Sequence, residues 1–120
     1  MTDEVYVSVD IEASGPIPGE YSMLSIGACL VGSTERDFYV ELKPISDRFL
    51  ADAMAVSGLS LDALRAHGAD PALAMAEFEM WIESITPIGT RPIYVALNAT
   101  FDWMFTHYYF ERYLGRDPFG

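Results

Sequence analysis

The sequence predicts an α/β domain in which helices pack on a sheet. Three observations support this fold class. Residues 5–42 contain three strand-like apolar segments separated by turn residues. Residues 46–87 carry helix start and stop signals. A further apolar strand and a last helix occupy residues 91–113. Three antiparallel strands followed by a helical crossover to a new strand are typical of layered α/β domains.

The first half of the chain is predicted to form an antiparallel meander. Residues 5–11 (VYVSVDI) are almost wholly apolar, which indicates a strand covered on both faces. A loop rich in glycine and proline follows at residues 15–19. Residues 23–31 form the second strand, and after a turn at residues 32–34 the alternating residues 35–42 form a half-exposed third strand.

The second half is predicted to begin with three helices. Ser46 is expected to cap a short helix reaching Val56, and Ser60 to cap another over residues 61–66. Asp70 and Pro71 form a strong start signal for a longer helix. The apolar side of that helix carries Ala74, Phe78, Trp81, Ile82 and Ile85.

A buried strand and one more helix complete the predicted order β-β-β-α-α-α-β-α. The strand is predicted over residues 91–97 and the helix over residues 99–113. The packed stripe of this helix is expected to contain Phe101, Met104, Phe105, Tyr108 and Arg112.

Composition limits the possible functions. The chain has 120 residues, enough for one domain, and a formal charge of −11. This charge argues against broad electrostatic binding to a polyanion and is consistent with a carboxylate cluster that awaits cations. Cys29 is the sole cysteine, so no internal disulfide forms. The N-terminus resembles no signal peptide, and the uncharged residues 21–34 are too few to span a bilayer. We therefore expect a soluble, cytoplasmic protein without membrane contact.

Asp10 and Glu12 are the first candidate functional residues. Because side chains alternate along a strand, both project from the same face, roughly 6–7 Å apart. Two carboxylates this close repel one another unless a cation neutralises them, and Mg²⁺ or Mn²⁺ suits such oxygen ligands. A solvated strand end explains the same D-x-E pattern equally well.

Asp102 is the third candidate carboxylate. It falls in the first turn of the last helix, where the helix dipole alone favours an acid, with Asn98 or Thr100 as the cap. If the two apolar strands at residues 5–11 and 91–97 are neighbours, Asp102 emerges beside Asp10. Capping alone does not explain three carboxylates that converge at one sheet edge.

The segments VSVDIEASGP and NATFDWMF resemble the first two motifs of the DEDD exonuclease superfamily. The most similar branch contains the bacterial proofreading subunit and RNase T. The intervening segments MLSIGACLV, FYVELKP and AVSGLSLDAL occur in the family's order, so the resemblance spans the chain. It implies an RNase H-like, three-layer fold with a mixed central sheet. The implied activity is metal-dependent 3′→5′ exonuclease hydrolysis of single-stranded DNA or RNA ends, which releases nucleoside 5′-monophosphates.

The resemblance also implies residue roles. Asp10 would bridge two divalent ions, Mg²⁺ or Mn²⁺, while Glu12 would bind the ion that activates the attacking water and Asp102 would support the second ion. The terminal nucleotide would contact the segment Ala13, Ser14 and Gly15, together with Asn98 and Phe101. Phe101 suits base stacking and core packing equally.

The family's third motif, a histidine or tyrosine shortly before a fourth aspartate, has no counterpart after Asp102. His107, among aromatics in a helix, is expected to be structural, and His67 is expected near a helix C-terminus. We therefore expect residues 1–120 to form one exonuclease-like domain that lacks the family's last strand and helix. The chain is then either a fragment of a longer enzyme or a shortened relative. A non-catalytic binding module, with homodimerisation through the open sheet edge, is the alternative function.

Overall fold

The computed structural model describes residues 3–120 as four strands and four helices in the predicted order. The elements are β1 (Asp3–Ala13), β2 (Met23–Leu30), β3 (Ser33–Glu41), α1 (Ala51–Ser57), α2 (Leu61–His67), α3 (Pro71–Ile85), β4 (Thr90–Val95) and α4 (Ala99–Leu114).

The four strands form one mixed sheet in the order β3-β2-β1-β4. The pairs β1–β2 and β2–β3 are antiparallel, which confirms the predicted meander, and β4 lies parallel to β1 after the helical crossover. The turn between β2 and β3 consists of Val31 and Gly32 alone, so β3 begins two residues before its predicted start at Glu35. Gly32 has a φ of 89°, which glycine adopts without strain.

Strand β1 has one covered face, not the two that its apolar composition predicts. Val7, Val9 and Ile11 are buried, whereas Tyr6 and Asp10 on the opposite face are exposed. The reason is that α3 and α4 both pack on the Val7 side, where their aromatic side chains join the hydrophobic core. We call the face that carries Asp10 and Glu12 the open face.

The first helix begins later than predicted. Ser46 does not cap it; the residue preceding the helix is Leu50, and no side-chain cap is present. The preceding segment is held to the chain after β1, because the Ile45 amide donates to Ser22 Oγ (2.9 Å) and the Leu50 amide donates to the Ser14 carbonyl (2.8 Å). With these amides engaged, the segment cannot continue the helix toward Ser46.

The start signals of α2 and α3 are confirmed. Ser60 Oγ accepts from the Ala63 amide at 3.3 Å, and Asp70 Oδ2 accepts from the Leu73 amide at 3.3 Å. Of the predicted apolar side of α3, all members except the half-buried Trp81 are buried: Ala74, Phe78, Ile82 and Ile85.

The predicted packed stripe of α4 is wrong in part. The residues of α4 that are buried are Asp102, Phe105, Thr106, Tyr109 and Phe110. Met104 and Arg112 are exposed, and Phe101 and Tyr108 are half-buried. Aromatic residues occur all around this helix, so hydrophobic periodicity does not distinguish the face that packs.

Strand β4 ends at Val95, two residues earlier than predicted, and it is half-buried. Among residues 3–120 its one neighbour in the sheet is β1, so β4 lies at the sheet edge, which explains its partial exposure. Leu97, predicted to lie in this strand, is fully exposed. Cys29 lies in β2 and is half-buried. Within residues 3–120, no helix combines the length and the apolar character needed to cross a bilayer.

Candidate active site

The parallel pairing of β1 with β4 brings the three predicted carboxylates together. The register of this pair ends at Ser8 and Val95, after which the chain turns into α4 while β1 continues to Asp10 and Glu12. Asp102, in the first turn of α4, therefore lies beside the end of β1. Its side chain is buried, Glu12 is half-buried and Asp10 is exposed.

The pKa values of two carboxyl groups reflect this proximity. Burial raises the pKa of Glu12, and the charges of Asp10 and Asp102 raise it further. Burial also raises the pKa of Asp102, with a second contribution from Asp10, while a hydrogen bond from the Ile11 amide partly offsets both. The three carboxylates thus interact electrostatically across one site.

The donor set fits a hard divalent cation in an open site. Within residues 3–120, no three His, Cys, Asp or Glu side chains are grouped so as to hold a metal ion by themselves. Mg²⁺ in phosphoryl-transfer sites is often bound through one or two carboxylates plus water and substrate phosphate, without an all-protein cage. Mutually repelling carboxylates supply the negative charge that such a cation needs.

A cavity of about 360 Å³ lies on the open face next to two of these carboxylates. Its walls are formed by Asp10, Glu12, Ser25, Gly27, Tyr39, Ser57 and Leu59. The β2 residues opposite Asp10 and Glu12 are Gly27 and Ser25, two of the smallest residues, which leaves space above the sheet. Burial raises the pKa of Tyr39 to about 12, with a further contribution from its hydrogen bond to Glu41.

The predicted substrate segment after β1 is fixed by internal contacts. Ser14 is fully buried; its amide donates to the Ser22 carbonyl (2.9 Å), and its Oγ accepts from the Ser22 amide (2.9 Å) and donates to the Arg48 carbonyl (3.2 Å). Ala13 is buried at the end of β1. A Cβ on Gly15 would lie 2.2 Å from the Tyr21 ring, so only glycine fits there. The structure therefore gives this segment a rigid, closely packed backbone.

Asn98 and Phe101 lie on the α4 side of the site. Asn98 occupies the N-cap position of α4 and is exposed, yet its side chain makes no capping hydrogen bond. The Phe101 ring is half-buried and packs 5.2 Å from the Phe105 ring, centroid to centroid. Part of the Phe101 side chain remains accessible beside Asp102.

Both histidines lie on helices. His67 is in the last turn of α2. His107 Nδ1 lies 2.7 Å from Asp117 Oδ2, and the His107 ring stacks on Trp103 at 5.1 Å. Tyr39, Ser57 and Leu59 are cavity residues that sequence reasoning missed. Only the register of β3 against β2 and the position of the α1–α2 connection bring them to Asp10.

Comparisons with known proteins show which proteins this chain resembles in sequence and in fold. No protein-family model matches the chain. The chain is 52% identical over 117 residues to the 3′-5′ DNA exonuclease Cap18 of Escherichia coli, an alignment that covers 98% of this chain and 63% of Cap18. The chain thus spans less than two thirds of that relative.

Solved structures share the fold. A product-bound exonuclease I superposes with a TM-score of 0.73 at 19% identity, covering 98% of this chain and 27% of that protein. A zinc-bound complex of E. coli exonuclease I with single-stranded DNA superposes with a TM-score of 0.72 at 21% identity, and the alignment covers 98% of this chain and 25% of that protein. The expected RNase H-like fold is confirmed. Over 98% of its length, this chain is therefore similar in sequence to the exonuclease Cap18, and it shares the fold of exonuclease I.

Proposed function

We propose that this chain carries the active site of a metal-dependent 3′→5′ exonuclease that releases nucleoside 5′-monophosphates from single-stranded DNA ends. The observation that carries the proposal is the gathering of Asp10, Glu12 and Asp102 at one end of the sheet, with raised pKa values for Glu12 and Asp102. Such a cluster is unfavourable without a cation and suits phosphoryl transfer with one.

In this proposal the carboxylates hold two divalent cations, Mg²⁺ or Mn²⁺. Bound there, the cations would neutralise the phosphate and lower the pKa of the attacking water. By the resemblance, Asp10 would serve both ions, Glu12 would hold the ion that activates the attacking water, and Asp102 would support the other ion. Hydrolysis forms a bond from the water oxygen to phosphorus and breaks the bond from phosphorus to the 3′ oxygen.

The single-stranded DNA substrate is supported by two relatives: Cap18 is named a DNA exonuclease, and exonuclease I has been crystallised with single-stranded DNA. The terminal nucleoside would lie between the Ala13, Ser14 and Gly15 segment and the pair Asn98 and Phe101. The rigid backbone around Ser14 suits this role because a preorganised wall loses little entropy on binding.

A 5′-labelled oligonucleotide tests the proposal. With Mn²⁺ or Mg²⁺, the protein should shorten it from the 3′ end one nucleotide at a time. Asp10→Asn and Asp102→Asn should lower the rate at least ~100-fold, the scale on which loss of electrostatic stabilisation acts. Glu77→Gln, an exposed acid on α3, is the matched control and should keep the wild-type rate. Shortening that persists in Asp10→Asn would refute the assignment of the site.

Calorimetry with Mn²⁺ separates binding from turnover. We expect Mn²⁺ binding that is lost in Asp10→Asn and retained in Glu77→Gln. Carboxylate-dependent binding without any shortening would instead identify residues 1–120 as a non-catalytic module. Absence of carboxylate-dependent binding would contradict both readings of the site.

A further inference from the structure

The open face carries an exposed aromatic residue opposite the carboxylates. In the sheet register, Asp10 pairs with Gly27 and Gly27 pairs with Tyr39, so the three form one row across β1, β2 and β3. Tyr39 is 62% exposed. Because Gly27 has no side chain, nothing from β2 projects between the carboxylate and the ring.

The Tyr39 side chain has a hydrogen-bond partner beside the sheet. Its hydroxyl donates to Glu41 Oε2 at 2.6 Å, a strong charge-assisted hydrogen bond. Its backbone lies in the middle of β3, and its ring lines the cavity beside Asp10 and Glu12. An exposed aromatic ring beside the proposed phosphate-binding site is suited to base stacking.

The site has two sides, separated by β1. Asn98 and Phe101 lie on the β4 and α4 side, and Tyr39 lies two strands away on the other side, about 10 Å from β1. A phosphodiester held by carboxylates on β1 joins two nucleosides, which lie on opposite sides of the phosphate when the single strand is extended across the sheet. With the terminal nucleoside on the α4 side, the preceding nucleoside faces Tyr39.

We propose that Tyr39 stacks on the base of the penultimate nucleotide and that Glu41 holds the ring in position. This inference rests on the proposed exonuclease function. It makes Tyr39 a substrate-binding residue that fixes the scissile phosphate over Asp10, with no role in proton transfer or metal binding.

Calorimetric titration with two probes tests the inference. The probes are thymidine 5′-monophosphate, which fills only the terminal position, and the dinucleotide dTpdT, with Ca²⁺ as the cation; chromatography afterwards confirms that the dinucleotide is intact. Tyr39→Ala should weaken dTpdT binding about tenfold, the value of one base–aromatic stack, and leave the monophosphate unaffected. Tyr39→Phe keeps the ring, so its affinity for dTpdT should fall less than that of Tyr39→Ala.

Tyr6→Ala is the matched control. Tyr6 is also exposed on the open face and its hydroxyl also faces a glutamate two residues away, Glu4 at 3.5 Å, but it lies four residues along β1 from Asp10. The Tyr6→Ala protein should bind both probes with the wild-type affinity.

Three outcomes overturn the inference. Unchanged dTpdT binding in Tyr39→Ala shows that no base stacks there. Equal losses for both probes place Tyr39 at the terminal nucleotide instead. A wild-type protein that binds neither probe refutes the proposed function as well, whereas wild-type binding that Tyr39→Ala does not alter refutes only the role of Tyr39.

Discussion

Glu12 and Asp102 illustrate how the proposed site lowers stability at single residues. Both carboxyl groups have raised pKa values in the folded chain, chiefly through burial and then through like charge. Their ionised forms are therefore less favourable in the folded state than in the unfolded state. By linkage, their contribution to stability is fully present below the unfolded pKa and is lost as the pH rises through the folded pKa.

Glu12→Gln should consequently stabilise the metal-free protein at neutral pH. Removing one charge from a partly exposed cluster is worth about 0.5 kcal/mol in the free energy of unfolding. Urea unfolding measures the change. The difference from wild type should shrink as the pH falls through and below the ordinary glutamate pKa of 4.5, because the Glu12 carboxyl then becomes neutral in the folded and the unfolded wild-type protein alike.

Glu35→Gln is a control in which the expected change in stability has the opposite sign to that of Glu12→Gln. The pKa of Glu35 is lowered by hydrogen bonds from its own amide and from Ser33, so its charged form is favoured on folding. This substitution should lower stability at neutral pH, and its effect should also fade on acidification. A Glu12→Gln protein less stable than wild type at neutral pH would contradict the account of carboxylate repulsion.

Asp117 is a second residue whose substitution should change the stability of the protein. Its side chain is 1% exposed, approaches His107 within 2.7 Å, and accepts from the Phe119 amide at 2.9 Å. Asp117→Ala should lower the free energy of unfolding by about 2 kcal/mol, because it removes two hydrogen bonds made by a buried carboxylate. Asp47→Ala is the control: Asp47 is 95% exposed in its ion pair with Arg65 and should change stability by less than about 0.5 kcal/mol. Equal effects in urea unfolding would contradict the assigned burial.

At the level of elements, features set by neighbouring residues were predictable from the sequence, whereas features set by tertiary contacts were not. The caps of α2 and α3 depend on a few adjacent residues, and both Ser60 and Asp70 act as the sequence predicts. The start of α1 depends on hydrogen bonds to the chain around Ser14, which lies far away in sequence. The packed face of α4 depends on which of many aromatic residues meets α3, and periodicity carries no such information.

The two N-cap positions of α3 and α4 give a prediction about structure and function. Asp70 makes a capping hydrogen bond, so Asp70→Ala should lower the free energy of unfolding by about 1 kcal/mol. Asn98 makes none, so Asn98→Ala should leave stability unchanged. If Asn98 contacts the terminal nucleotide as proposed, Asn98→Ala should instead weaken binding of thymidine 5′-monophosphate. Loss of stability without loss of nucleotide binding would show that Asn98 is a helix cap.

For the molecule as a whole, the sheet topology explains why the three carboxylates could be predicted from the sequence and why Tyr39 could not. Asp10, Glu12 and Asp102 converge because β4 lies parallel to β1, and parallel neighbours end at the same sheet edge. The sequence order alone favours that arrangement. Tyr39 reaches the site through the exact pairing of β3 with β2, which depends on a two-residue turn that the sequence placed too late.

The net charge of −11 gives the last prediction. The chain has only 7 lysine and arginine residues, and Arg48, Arg65 and Arg116 already form ion pairs with acidic side chains. Few basic side chains remain to contact phosphates, so the binding of single-stranded DNA should depend on the carboxylate-bound metal and on base stacking. At fixed Ca²⁺, the logarithm of the affinity for a labelled thymidine oligonucleotide should fall with the logarithm of KCl concentration with a slope no steeper than about −2. Fluorescence anisotropy measures this slope. A value steeper than about −4 would reveal an extended basic track, and it would contradict a site that grips only the last few nucleotides.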